Sequence, residues 1–282
     1  MTPQELVVAL VTAVFVDYDV DVARELLAPD YIQHNPVIPT GADGLLNLIP
    51  MAKETGLTVT THRVIAEGDI VVAHNTFENA DAFGAPTLVS FDVFRVDDGV
   101  LVEHWDNLQV PPGETASGRS MTDGPTEITD LDKTTANKAV VTGFITDVFL
   151  NGELEKAPNY IIATPGAYHQ HNPLVPDGLA ALGAAFAQLQ EAGQGFSFSE
   201  AHMIVAEGNF VFTMTEGAVG DVPTAFFDLW RVEDGMIVEH WDTIAPYIAQ
   251  GASGAGMVDG ATDVDLTGDT AASKALVLEY TK

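Results

Sequence analysis

The stretch FDVFRVDDGVLVEHWD, from Phe91 to Asp106, returns as FDLWRVEDGMIVEHWD, from Phe227 to Asp242. In each copy alternating residues run up to an acidic turn with a glycine and back, the pattern of a β-hairpin whose last turn residue takes positive φ. Reading Asp97-Asp98-Gly99 as a three-residue loop sets Val96 opposite Val100, Phe94 opposite Val102 and Asp92 opposite His104. One face of the hairpin then carries Asp92, His104 and Asp106. The other carries Phe91, Val93, Arg95, Leu101, Glu103 and Trp105, with Arg95 diagonal to Glu103. The second copy puts Asp228, His240 and Asp242 beside Trp230 and Val238, and Arg231, Glu239 and Trp241 on the opposite face.

The segments before the hairpin repeat as well. Thr2-Pro3-Gln4-Glu5 ahead of an apolar run reads as a capped helix start. A short helix near Val20 to Leu27 ends at Pro29, Tyr31 to Pro36 is extended, and Gly41 to Thr55 forms a third helix stopped by Gly56. Two strands follow, Leu57 to Ile65 and Ile70 to Phe77. His171 lies 137 residues after His34, His202 lies 140 after His62, and Asp228 lies 136 after Asp92, so the chain is a duplication with small loop insertions. Domains are expected at 1–129 and 130–264, each ending in a Gly/Ser/Thr/Asp-rich arm. Residues 265–282 repeat the start of a unit and are expected to form a terminal helix docked on the body.

Composition narrows the function. The 41 acidic residues against 11 basic ones give a formal charge of −30, which repels phosphate backbones and anionic membranes. Neither nucleic acid nor membrane is expected as a partner. No cysteine is present, so thiolate chemistry and disulfides are excluded. The apolar run Leu6 to Val16 is short for a bilayer span and lacks a cationic start, which gives a soluble chain, cytoplasmic by default.

A helical first third, an extended His-Asn-Pro segment and a sheet ending in G-x-x-V-E-H-W-D resemble the SnoaL-like polyketide cyclase family, within the nuclear transport factor 2-like superfamily. The resemblance covers nearly the whole chain twice. It implies two tandem cone-shaped α+β domains, helices packed on a curved antiparallel sheet, with a pocket between helices and concave face. It further implies aldol-type lyase or isomerase chemistry without cofactor or metal, an aspartate of the last strand serving as acid/base. Asp106 and Asp242 match that position. Members pair through the convex sheet face, so the two halves are expected as an intramolecular pseudo-dimer that buries Trp105 and Trp241; further self-association is left open.

Aldol chemistry needs a base near the α-carbon and a proton donor near the carbonyl oxygen. Asp106 and His104 suit these roles, with Asp92 orienting His104, and Asp242, His240 and Asp228 repeat the set. A buried Asp–His pair also satisfies itself without catalysing anything. His34 and His171 are expected at the pocket mouth, and Tyr31, Phe94, His74, Tyr168 and Trp230 as further ligand-facing groups. Asn35 and Asn172 fix turns, and His62 and His202 are structural. His34, His104 and Asp106 could make a two-histidine, one-carboxylate metal set, with His169 as an extra ligand in the second half; nothing in the spacing demands it, and no metal is expected. The partner is a small hydrophobic carbonyl compound, or, for a non-catalytic binding or stress-associated protein of the same fold, a ligand that is only held. Phe94→Trp230, Val100→Met236 and His74→Met214 predict a smaller, drier second pocket, with more of any activity in the first half.

Overall fold

The computed structural model describes residues 2–266, so the terminal helix expected after Asp265 lies outside the described residues. The chain divides into two units: residues 1–110 with 248–282, and residues 111–247. Each unit is α+β, helices against a five-stranded sheet.

Unit 1 starts with α1 (Pro3–Phe15), whose reciprocal cap is present: Glu5 N donates to Thr2 Oγ1 at 3.2 Å and Thr2 N to Glu5 Oε2 at 2.7 Å. Such caps contribute about 1 kcal/mol. After α2 (Val20–Glu25) and β1 (Leu27–Gln33), the single helix expected to Thr55 is two, α3 (Ala42–Leu46) and α4 (Ile49–Thr55). Pro50, which lacks an N–H, stands in the first turn of α4, where the missing donor costs nothing. Gly56 at φ 67° ends α4. The sheet comprises β2 (Thr58–Glu67), β3 (Ile70–Glu78), β4 (Thr87–Asp97) and β5 (Val100–Gln109), in the order β1-β5-β4-β3-β2. Only β1 pairs in parallel. Leu6, Leu10 and Val14 of α1 pack on Val71, Phe94 and Leu101 to form the core.

Unit 2 repeats the order: α5 (Thr134–Phe144), a π-helical turn (Ile145–Leu150), β6 (His169–Gln170), α6 (Leu179–Glu191), β7 (Phe196–Glu207), β8 (Phe210–Val219), β9 (Val222–Glu233) and β10 (Met236–Pro246). Its sheet runs β6-β10-β9-β8-β7. A 3-10 segment, Leu154–Asn159, replaces the second helix of unit 1.

The expected hairpin register is off by one beside the turn and by two beyond it. The turn has two central residues, Asp98 and Gly99, at φ 45° and 80°, as a tight hairpin turn with two positive φ values requires. Asp97 therefore opposes Val100, and a bulge at Val102 absorbs the extra residue and restores the faces. Phe94 opposes His104, Arg95 opposes Glu103 directly, and Asp92 opposes Asp106, not His104. β9 and β10 do the same around Val238, setting Asp228 opposite Asp242.

The domain boundaries also change. The arm 111–129 belongs to unit 2, and the arm from Ile248 belongs to unit 1, so each arm serves the half it does not follow. The two arms share the pattern A-S-G-x-x-M-x-D-G, at Ala116 to Gly124 and Ala252 to Gly260. In unit 1 the Trp105 indole N–H donates to Asp259 O at 2.7 Å; in unit 2 Trp241 donates to Asp123 O at 2.9 Å. The tryptophan face, expected to be covered by the opposite half, thus carries an arm.

Candidate active site

The concave side of unit 1 holds a cavity of about 630 Å³ with its mouth included. Apolar side chains of α1 and the sheet, among them Val14, Phe15, Phe77 and Phe94, form its walls. At one end stand Tyr31, Asn35, Asn75, Asp92, His104 and Asp106. Phe94, Asp92, His104 and Asp106 face this side because alternate residues of a strand share a face.

The polar end has a definite proton arrangement. Gln33 Oε1 accepts the Asn35 backbone N–H at 2.9 Å, so the ring nitrogen facing it at 2.9 Å, His104 Nδ1, must carry hydrogen. His104 Nε2 then meets Asp92 Oδ1 at 3.2 Å. Asp92 Oδ2 takes Asn75 Nδ2 at 2.8 Å and the Ser90 hydroxyl, so that carboxylate is fully engaged. Asp106 is not. Its Oδ2 accepts Asn35 Nδ2 at 2.7 Å, while buried Oδ1 has no partner. Burial, with the Asp92 charge adding to it, pushes Asp106 up from 3.8 to about 6, despite the opposing pull of His104 and the Asn35 bond. The Tyr31 hydroxyl is buried and also lacks a partner, and burial raises its pKa well above 10, so it remains a donor.

Tyr31 and Phe94 line the cavity as expected, and Tyr168 and Trp230 line that of unit 2. His34, His171 and His74 do not. In β1 and its extension Asn35 points inward, so His34 points to the opposite face, where it stacks on Trp105 at 5.0 Å. Its Nε2 meets Glu103 Oε1 at 2.8 Å and its Nδ1 meets Gly256 O of the arm at 2.8 Å. His171 repeats this with Glu239 at 3.0 Å, Ser120 O at 2.6 Å and Trp241. These histidines clasp the arms. His74 pairs in register with Phe91, stacks on it at 4.3 Å, and so lies on that face too. His62 and His202 sit at bulges and bond to Thr76 and Glu216.

Sequence reading passed over Gln33, Asn75 and Ser90, and gave Asn35 a turn role alone. Asn35 does hold its turn, Oδ1 accepting Val37 N at 2.9 Å, but its amide also anchors Asp106. Ser90 stands two residues before Asp92, on the same face, which alternation alone marks.

Unit 2 has a smaller cavity, about 400 Å³ with its mouth included. The π-helical turn delivers Phe149, which stacks on Phe198 at 3.9 Å, and Phe226 stands where unit 1 has Ser90. The expected drier lining is not found, since Gln170 joins the polar end where Asn75 is lost to Thr215. His240 Nδ1 faces Gln170 Oε1 at 2.8 Å and its Nε2 faces Asp228 Oδ1 at 3.0 Å. Asn172 Nδ2 donates to Asp242 Oδ2. Asp228 Oδ2 and Asp242 Oδ1 are buried without partners. Burial raises Asp228 well above 3.8, raises Asp242 to about 6 and lowers His240 to about 4.

Asp92, His104 and Asp106 bring candidate metal-ligand atoms within 4.8 Å of one another, as do Asp228, His240 and Asp242. The histidine tautomer suits a metal, with Nδ1–H held by glutamine and Nε2 facing the carboxylate. An ion would have to break the contact of His104 with Asp92 or of His240 with Asp228. His34 and His169 have no part in either cluster.

Residues 7–104 match the family model described as the SnoaL-like domain. Unit 1 is a SnoaL-like domain. The match spans its helices and strands as far as His104, and unit 2 repeats the same strand order, hairpin register and Asp-His-Asp set, so two α+β units of one topology stand in tandem. No curated protein matches the chain. Among solved structures, TsrD from Streptomyces laurentii is 26% identical over 38% of this chain and 87% of its own, with TM-score 0.33. IdmH from Streptomyces antibioticus, a proposed polyketide cyclase, is 22% identical over 39% and 93%, with TM-score 0.33. An epoxide hydrolase of M. tuberculosis, described as LEH-like, is 21% identical over 38% and 82%, with TM-score 0.32. Among the described residues, no helix is long and apolar enough to cross a membrane.

Proposed function

We propose that unit 1 is a cofactor-independent lyase or isomerase of aldol type, moving a proton at the carbon beside the carbonyl of a small hydrophobic compound. The observation that carries this reading is the unpartnered Asp106 Oδ1 in an apolar cavity that also holds the unpartnered Tyr31 hydroxyl. A desolvated carboxylate is a stronger base, and a buried hydroxyl with nothing to bind is preorganised for a developing enolate oxygen. His104, expected as the donor, has both ring nitrogens engaged. It becomes a positioning residue, and Tyr31 takes the donor role.

The experiment is deuterium incorporation from D₂O into a panel of hydrophobic ketones, followed by NMR. Asp106→Asn is expected to lower exchange by about 10²-fold or more, and Tyr31→Phe by about 10-fold or more. The non-catalytic alternative is supported by the complete satisfaction of the Asp92–His104 pair, which needs no turnover to explain it. Ketones that bind without any exchange would establish that alternative.

A further inference from the structure

The two units differ where their substitutions matter most for a ligand. In unit 1 Asn75 and Ser90 fill the second oxygen of Asp92. In unit 2 these positions are Thr215 and Phe226, and the corresponding oxygen, Asp228 Oδ2, is left bare. Asp242, which opposes Asp228 across the strand pair, also presents a bare oxygen, Oδ1. Both side chains line the cavity, and both residues are only 4% exposed. Unit 2 therefore gathers two buried acceptor oxygens that lack a hydrogen-bond partner, at the end of a chamber walled by Phe144, Phe149, Phe198, Phe226 and Trp230.

A buried acceptor without a partner is costly, and a charged donor compensates a desolvated carboxylate better than a neutral one. A carbonyl offers no hydrogen at all. An ammonium group offers three, enough for both oxygens, and the aromatic walls suit an attached apolar body and the faces of Phe rings suit a cation. The formal charge of −30 on the chain draws cations toward it.

We propose that the cavity of unit 2 is a binding site for a small organic ammonium ion, a primary amine on an aromatic or alkyl body, with Asp228 Oδ2 and Asp242 Oδ1 as its acceptors. The site is separate from the chemistry assigned to unit 1 and does not depend on it. Its specificity follows from what is missing: the two donors that unit 1 supplies from its own strands are left for the ligand to bring.

The test is calorimetric titration of the full chain with 2-phenylethylamine and, as neutral isostere, 2-phenylethanol, with Trp230 fluorescence followed in parallel. The amine is expected to bind once per chain and at least about tenfold more tightly than the alcohol. Asp228→Asn and Asp242→Asn should each weaken the amine at least about tenfold without weakening the alcohol. A graft, Thr215→Asn with Phe226→Ser, supplies Asp228 with the donors of unit 1 and should weaken amine binding even though it enlarges the cavity. Thermal melts of each variant check the fold, and a graft that folds keeps the test decisive if an aspartate variant does not. No amine binding, equal affinity for the alcohol, amine binding that survives both aspartate changes, or a graft with undiminished affinity each overturns the proposal. So does a divalent ion found on the triad in place of the amine.

Discussion

At the scale of single residues, the titration of Asp106 makes a two-sided statement. Its raised pKa means that the folded chain holds this proton more tightly than the unfolded one. Between about pH 4 and 6 the native state binds the extra proton, so stability is fullest at the acid end and falls as pH rises through 6. At about 1.4 kcal/mol per pH unit, the gap from 3.8 to about 6 amounts to about 3 kcal/mol. Asp106→Asn should remove that loss: in urea unfolding the variant is expected to be 1–3 kcal/mol more stable than the native chain at pH 8, by order of magnitude, and no more stable at pH 4. Proton exchange on a ketone should show the opposite limb, rising through pH 6 as the base ionises. A flat profile across that range would remove Asp106 as the base.

At the scale of elements, the hairpin shows what a sequence discloses and what it hides. Alternation from Phe91 to Asp106 assigned Asp92, His104 and Asp106 to one face and Arg95, Glu103 and Trp105 to the other correctly, because parity is a local property. Leu101, between the turn and the bulge, is the exception: it pairs with Val96 and packs on the helix side, not beside Trp105. Register is not local in that sense. It depended on whether Asp97 belonged to the turn, and the bulge at Val102 is chosen by strand pairing that no composition rule displays. His34 failed for a related reason, since its position in β1 could be read only once the side of Asn35 was known. The arms were legible as segments but not as partners, although the shared A-S-G-x-x-M-x-D-G pattern was there to be seen. Arm docking in unit 1 converges on Gly260 at φ 99°, where an added Cβ would lie 2.3 Å from Glu103 Oε1 and 3.0 Å from His34 Nε2. Gly260→Ala should therefore destabilise the native chain by about 1–3 kcal/mol. Hydrogen exchange at 248–266 should quicken with it, while the strands of unit 2 keep their protection; unchanged exchange in the arm would refute the clasp.

At the scale of the whole molecule, duplication was readable from matched histidines and from the hairpin, but the connectivity was not. Unit 2 is one continuous segment, 111–247, whereas unit 1 is assembled from two pieces on either side of it. A fragment of 111–247 is expected to fold and melt cooperatively by circular dichroism. Fragments cut at the boundary that the duplication suggested, 1–129 and 130–264, each lose the arm that caps their own tryptophan, and should melt at lower temperature or bind a hydrophobic dye. If 1–129 is as stable alone as unit 1 is in the full chain, the arm adds nothing.

This interleaving sets a timetable for synthesis. The body of unit 1 is finished at residue 110, but its arm begins at residue 248, which is 138 residues later (248 − 110). At translation rates of 5–20 residues per second the wait is roughly 7–28 s. During that interval the Trp105 side of a nearly complete sheet stays uncapped on the ribosome, while unit 2, whose arm precedes its body, can close as soon as its last strand emerges. The later-made half is thus the first to be sealed, and the nascent N-terminal half is the one exposed to chaperones and to wrong partners.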